Sequence, residues 1–207
     1  MMQDLKTQNR LVHDFMRGEF AALLKMTAAA FVVLMVLGFV LGLLMEDMAE
    51  NFVGFFVRNV NTSGIMDEGG KIHLFPLLLN NLRAAVMTIA YGFLPYIYFP
   101  ALSLGINSLL LGFFAAFYYS NGMSMLYYFA AIIPHGIFEL PALVLSIALG
   151  LYLCKTINTY IRENTKGLIK DAVMDILRVL CLRAAPLFVV ASVVESYVTP
   201  WVVSFIS

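Results

Sequence analysis

The fold is decided by residues 26–45, a stretch that reads MTAAAFVVLMVLGFVLGLLM and contains no charged side chain. At about 1.5 Å per residue, a helix of this length reaches about 30 Å, which matches the hydrocarbon thickness of a bilayer. The stretch is too long, and lies too far from the N-terminus, for the apolar region of a signal peptide. It therefore predicts a membrane-spanning helix.

The rest of the chain has the composition of a membrane protein. Of its 207 residues, 61% are hydrophobic and 13% are charged, and the mean hydropathy is +0.87. Soluble domains carry about 25% charged residues, so that class is excluded, as is a disordered chain. The net charge of zero provides no electrostatic attraction to nucleic acid. The charges concentrate in residues 1–25, 46–83 and 155–183, and only Glu139 and Glu195 lie elsewhere.

The uncharged segments predict an all-α polytopic protein with about five transmembrane helices in a single membrane domain, residues 1–207. Besides 26–45, the predicted spans are 78–99, 101–119, 123–154 and 184–205. Residues 1–25 and 155–183 place apolar side chains at helical spacing beside basic ones, which is typical of amphipathic helices at a membrane surface. The second of these helices is predicted over 156–182, and residues 46–76 are predicted to form a polar loop.

The distribution of lysine and arginine predicts the orientation. Residues 1–25 and 155–183 hold ten of the 13 basic residues, whereas residues 46–83 are net acidic. Because basic segments stay in the cytoplasm, we expect the N-terminus to be cytoplasmic and residues 46–76 and the C-terminus to be extracytoplasmic. A sixth crossing would place residues 155–183 outside, which the charge distribution disfavours.

The span over 123–154 contains the chain's most unusual motif, Pro134-His135-Gly136-Ile137-Phe138-Glu139-Leu140-Pro141. His135 and Glu139 are four residues apart and share one face of a helix. Ionisable groups at membrane depth are costly and usually face a protein interior, so they are candidates for function. The two prolines predict a helix that is kinked or discontinuous over 134–141, and the sequence leaves both forms open.

Other polar residues at membrane depth are predicted to meet this motif: Asn80, Asn81, Asn107 and Glu195. In the simplest interpretation these groups hydrogen-bond one another and fix helix packing. Alternatively, His135, Glu139 and Glu195 bind a divalent metal such as Zn²⁺. Catalysis is disfavoured, because the chain contains no zinc-protease histidine pair, no serine–histidine–aspartate set and no glycine-rich phosphate loop. The prediction is a protein that is not an enzyme.

Three parts of the chain together resemble the stage II sporulation protein M family. They are residues 75–83 with Asn80-Asn81, residues 134–140 followed by Pro141-Ala142, and Glu195 before Tyr197-Val198-Thr199-Pro200. The resemblance covers about residues 75–200, and the N-terminal third matches only in layout. It implies a multi-pass protein of the bacterial cell membrane without catalytic activity of its own.

The resemblance also implies partners. In endospore formers the family member works with other membrane proteins of a peptidoglycan-remodelling complex, one of which cleaves peptidoglycan, during septal thinning and engulfment. The expected function is therefore a membrane scaffold in sporulation, and the sequence leaves a homo-oligomer open. The alternative is a transporter or channel-like protein that binds an ion at His135, Glu139 and Glu195. A third hypothesis, intramembrane hydrolysis, requires a metal-activated water with Glu139 as its base.

Overall fold

The computed structural model describes residues 2–67, 71–165 and 167–206. Over these ranges every regular element is a helix, and one isolated β-bridge pairs Met66 with Ile72. The α-helices are α1 (Met2–Arg17), α2 (Glu19–Leu44), α3 (Glu46–Thr62), α4 (Leu74–Ala90), α5 (Pro100–Ser120), α6 (Met125–Glu163), α7 (Leu168–Val179), α8 (Ala185–Val193) and α9 (Thr199–Val203).

Short helical turns of other types connect several of these elements. A 3-10 turn, Tyr91–Phe93, extends α4, and π-helical turns at Leu180–Ala184 and Val194–Val198 join α7, α8 and α9. The result is one continuous helix, Leu168–Val203, called the last helix below. Together with α2, extended α4, α5 and α6 it makes five helices, among the described residues, that are long and apolar enough to cross a membrane. The predicted fold class and its five spans are confirmed.

The structure corrects the predicted form of α6. Its α-helix runs without interruption through both Pro134 and Pro141, so the discontinuous alternative is wrong. Neighbouring helices stabilise such prolines in membrane helices, because they re-satisfy the backbone groups that a proline leaves free. The helix also continues to Glu163, well beyond the predicted end of this span.

Two amphipathic helices have boundaries other than those predicted. The helix expected over 156–182 is divided, because α6 ends at Glu163 and α7 begins at Leu168. Asn164 and Gly167 both have positive φ values, which reverse the chain between the two helices. At the N-terminus, α1 ends at Arg17 and the residues from Glu19 onward belong to α2. The predicted loop over 46–76 contains a helix, α3.

The centre of the molecule is the C-terminal half of α6. Ile147, Ala148 and Leu149 are completely buried, as neighbouring helices cover them from every side. Gly150 allows a close approach of neighbouring helices: a Cβ atom there would lie 2.6 Å from the Thr88 carbonyl oxygen of α4 and 2.9 Å from Pro100 of α5. Small residues permit this kind of backbone contact between membrane helices.

The two ends of the molecule differ in composition. At one end α1 meets the last helix, where Arg178 Nε donates to Gln8 (2.8 Å) and Arg183 donates to Asn9 (3.0 Å). Both basic segments therefore lie at the same end, as alternating crossings require. At the other end α3 packs on α5 through the ring pairs Phe52–Phe113 and Phe56–Phe114.

Candidate functional site

A cavity of about 370 Å³ lies between α3, α4, α5, the N-terminal half of α6 and the last helix. Its walls are mainly apolar, with side chains such as Leu77, Leu111, Phe114, Ile132 and Leu143. The polar residues that sequence analysis singled out all line this one space: Asn80, Asn81, Asn107, His135, Glu139 and Glu195. A concave, largely apolar pocket with a few convergent polar groups is the usual form of a binding site.

Three of these residues form a compact cluster. His135, Glu139 and Glu195 each offer one ligating atom, and these atoms all lie within 4.8 Å of one another. Each of the three side chains is half-buried. His135 and Glu139 are adjacent on α6 because they are one helical turn apart, whereas Glu195 comes from the last helix.

The position of Glu195 depends on a local irregularity. It lies in the π-helical turn Val194–Val198, and single π-helical turns of this kind occur frequently at functional sites. Such a turn takes an additional residue and so changes the direction of the side chains that follow. No pattern in the sequence indicates it.

Thr199 is a site residue that the motif analysis did not select. Its Oγ1 lies 3.3 Å from His135 Nδ1, in a hydrogen bond that links the last helix to α6. Thr199 is buried, with 8% of its surface exposed. A signal was available, because Thr199 follows Glu195 by four residues and helical spacing places both on one face.

The asparagines have different environments. Asn81 is 9% exposed and its Nδ2 atom is buried without a hydrogen-bond partner. Asn107 donates from Nδ2 to the backbone carbonyl oxygen of Ser103 (2.8 Å) and to its hydroxyl (3.3 Å), so its amide nitrogen is already engaged. Asn80 is exposed at the rim of the cavity, and Arg83 is exposed outside it. Asn81 is thus the amide with unused hydrogen-bonding capacity.

The residues that cover one end of the cavity were not predicted from the sequence, because residues 46–76 were predicted to be a loop outside the membrane. Phe56 and Val60 of α3, with Ile65, Met66 and Ile72 beyond it, complete the wall. The bridge between Met66 and Ile72 closes this segment, and the Lys71 backbone N–H donates to Asp67 Oδ1 (2.8 Å). Apolar side chains therefore form the wall of the cavity at that end.

The Pro134–Pro141 motif lines the cavity in addition to supplying groups that can bind a ligand. Gly136 is buried and lines the cavity between His135 and Glu139, while Pro141 is exposed on the other side of α6. Among the described residues that line the cavity, His135 is the single histidine, so the histidine pair of a zinc protease is not formed there. The chemistry that the cluster offers is the binding of a cation or a hydrogen-bonding ligand.

Fold and cavity together define a helical multi-pass membrane protein whose polar residues gather in one cavity between its helices. The family model described as Stage II sporulation protein M matches residues 27–200, and the chain belongs to that family. The match begins at the first span, earlier than the motifs alone indicated.

The chain is similar to the Methanocaldococcus jannaschii protein MJ0793, described as uncharacterized, with 32% identity over 78 residues. That match covers 37% of this chain and spans 43% of the relative. No solved structure matches the chain.

Proposed function

We propose that the protein is a non-enzymatic membrane scaffold that recruits peptidoglycan-remodelling partners for septal thinning and engulfment. The observation that carries this proposal is the family match over residues 27–200. Membership in a sporulation family supports a role in an assembly at the cell membrane.

The surface around α3 supports the same proposal. With both basic segments in the cytoplasm, α3 faces the side where peptidoglycan lies. Phe55 of α3 is 62% exposed, and Phe75 at the start of α4 is 72% exposed. Aromatic side chains are enriched where protein partners dock, so this end is the expected contact surface.

The test is affinity purification of the full chain, carrying a tag, from sporulating cells after membrane-permeable cross-linking. We expect a peptidoglycan hydrolase to co-purify with the wild type and to be depleted by Phe55→Ala. The matched control is Leu5→Ala, because Leu5 is also an exposed apolar residue (56%) on an amphipathic helix, but at the opposite end. Normal engulfment after gene deletion, with no hydrolase recovered, would contradict the scaffold function.

The second candidate function is ion translocation, and a specific observation favours it. An imidazole and two carboxyl groups lie within 4.8 Å of one another on two helices long enough to span a membrane, and ion pathways are built from such groups. Purified protein in proteoliposomes would then conduct cations, and Glu139→Gln would abolish the flux. Equal flux in wild-type and Glu139→Gln vesicles would eliminate this candidate.

A further inference from the structure

The cluster in the cavity contains two carboxyl groups, and their charges are unbalanced when both are ionised. Glu139 and Glu195 lie together, and the described residues that line the cavity include neither lysine nor arginine. Two ionised carboxylates at this depth repel each other and are poorly solvated. A divalent cation removes both problems, since its charge balances the two carboxylates beside a neutral imidazole.

From this arrangement we propose that His135, Glu139 and Glu195 bind one divalent transition-metal cation, with Zn²⁺ the best match. One nitrogen and two carboxylate oxygens suit zinc, whereas magnesium and calcium prefer sites made of oxygen alone. Three protein ligands leave a fourth position toward the cavity. The cation joins the last helix to α6, because Glu195 belongs to one and the other two ligands belong to the other.

The distances are compatible with zinc. Ligand atoms of a tetrahedral zinc site lie about 3.3 Å apart, since each is about 2.0–2.2 Å from the metal. The cluster's ligating atoms lie within 4.8 Å of one another, so closure requires a movement of at most about 1.5 Å. Each glutamate has side-chain torsions through which its carboxylate can move by this amount while the backbone stays in place.

His135 is already held as metal-binding histidines usually are. Its Nδ1 atom is bonded to Thr199 Oγ1, which leaves Nε2 with its lone pair when Nδ1 carries the proton. Metal-binding histidines almost always donate their second ring N–H to an oxygen acceptor, usually a carboxylate, a backbone carbonyl or water, and this contact fixes the orientation of the ring. The Thr199 hydroxyl oxygen takes that place here. Thr199 is therefore a positioning residue in this proposal.

Asn81 provides an independent indication that the cavity holds a polar ligand. Its side chain is nine-tenths buried, lines the same cavity, and has an amide nitrogen without a partner. Buried donors are almost always satisfied, by protein or by ordered water. A water molecule or another polar ligand in the cavity would accept this hydrogen bond.

The experiment measures zinc binding by the purified full chain in detergent, with competition against a chromogenic chelator. We expect about one tightly bound Zn²⁺ per chain, bound after exhaustive dialysis. Glu139→Gln and Glu195→Gln should each weaken zinc binding at least about tenfold, and Thr199→Val about tenfold through the histidine. Zinc should also raise the thermal unfolding temperature of the wild type, and raise that of Glu139→Gln less at the same zinc concentration.

The matched control is Glu163→Gln. Glu163 lies on the same helix but is paired with Arg162 at the surface, so its loss should leave zinc affinity unchanged. Size-exclusion profiles of the metal-free variants show whether each one folds, and Thr199→Val remains informative if a glutamine variant does not. Wild-type affinity in Glu139→Gln and Glu195→Gln, or an equal loss in Glu163→Gln, would overturn the proposal.

This site does not depend on the scaffold function. Zinc binding is measured on purified protein with no partner present, and partner recovery is measured through Phe55, which belongs to α3 and not to the cluster. A negative result for zinc binding therefore does not contradict the scaffold function, and a negative result for partner recovery does not contradict the zinc site.

Discussion

The two halves of α6 are built differently, although they belong to one uninterrupted helix. Over residues 142–157 most side chains are buried, and Lys155 is the single exposed one. Over residues 125–141 only Tyr128, Ala130 and Gly136 are buried, and the helix borders the cavity. The enclosed half fixes how the other helices assemble, and the open half carries the groups that can bind something.

The sequence of each half explains this difference. Ala142, Ser146, Gly150 and Cys154 recur every four residues, and all four are buried. Such a stripe of small residues lets neighbouring membrane helices approach closely. The open half has Pro134, His135 and Glu139 instead, which resist close packing because proline disturbs the backbone and the polar groups need partners.

The largest expected effect comes from a pair of isoleucines on α6. Ile147 is 0% exposed and Ile137 is 63% exposed. Ile147→Ala should reduce the free energy of unfolding by about 2 kcal/mol, the lower end of the range for buried isoleucine, because the unfolded helix stays in lipid. Ile137→Ala should change it by less than about 0.5 kcal/mol. Equal losses, measured by denaturation in mixed micelles, would show that the two halves are packed alike.

Two glycines test the same difference between the halves of α6, because replacing each with alanine adds one methyl group. A Cβ at Gly150 would lie 2.6 Å from the Thr88 backbone, whereas one at Gly136 would meet only side-chain atoms at 3.5 Å or more. Gly150→Ala should destabilise the protein by about 1–3 kcal/mol through overpacking. Gly136→Ala should be neutral or slightly stabilising. Thermal unfolding in detergent measures both, and a tolerated Gly150→Ala would refute the close approach.

The smallest effect tests whether the open half is held by specific contacts. The Tyr128 hydroxyl donates to the Leu111 carbonyl oxygen of α5 at 2.9 Å. Tyr128→Phe should reduce the free energy of unfolding by about 0.6–1 kcal/mol, the usual contribution of a hydrogen bond between membrane helices. The neighbouring substitution Tyr127→Phe is the control. If both substitutions have the same effect, the hydrogen bond contributes nothing.

The sequence was sufficient for the number of spans because charged residues are excluded from lipid. The places where the chain can cross are determined by the uncharged stretch 26–45 and by the basic residues around Lys155 and Arg178. Span boundaries were less certain, since Phe20, Leu23 and Leu24 fit an amphipathic helix and a membrane span equally well. Pro134 and Pro141 were ambiguous for a similar reason: the neighbours that stabilise a proline are not visible in its own segment.

The sequence was enough to predict which residues form the site, but not the distances between them. His135, Glu139 and Glu195 could be selected because each is ionisable within an apolar stretch. Their mutual distances depend on how the last helix is rotated against α6, and that rotation depends on backbone irregularities without a sequence pattern. The cover formed by Ile65, Met66 and Ile72 was invisible for another reason, since it results from long-range packing of a segment rich in turn residues.

The π-helical turn at Val194–Val198 has a consequence for the residues around it. The number of residues in this part of the last helix, rather than their composition, determines which side chain contacts His135. Each residue of an α-helix advances the angular phase by about 100°. The turn holds one residue more than the α-helical turn it replaces and absorbs most of that angle locally, so a deletion inside it that restored α-helical hydrogen bonding would leave Thr199 facing His135. Deleting one residue of α8, with the turn kept, would instead rotate Glu195 and Thr199 together by about 100° and take both away from His135. A one-residue deletion is therefore expected to be tolerated within the turn and to disrupt the cluster when it lies before the turn.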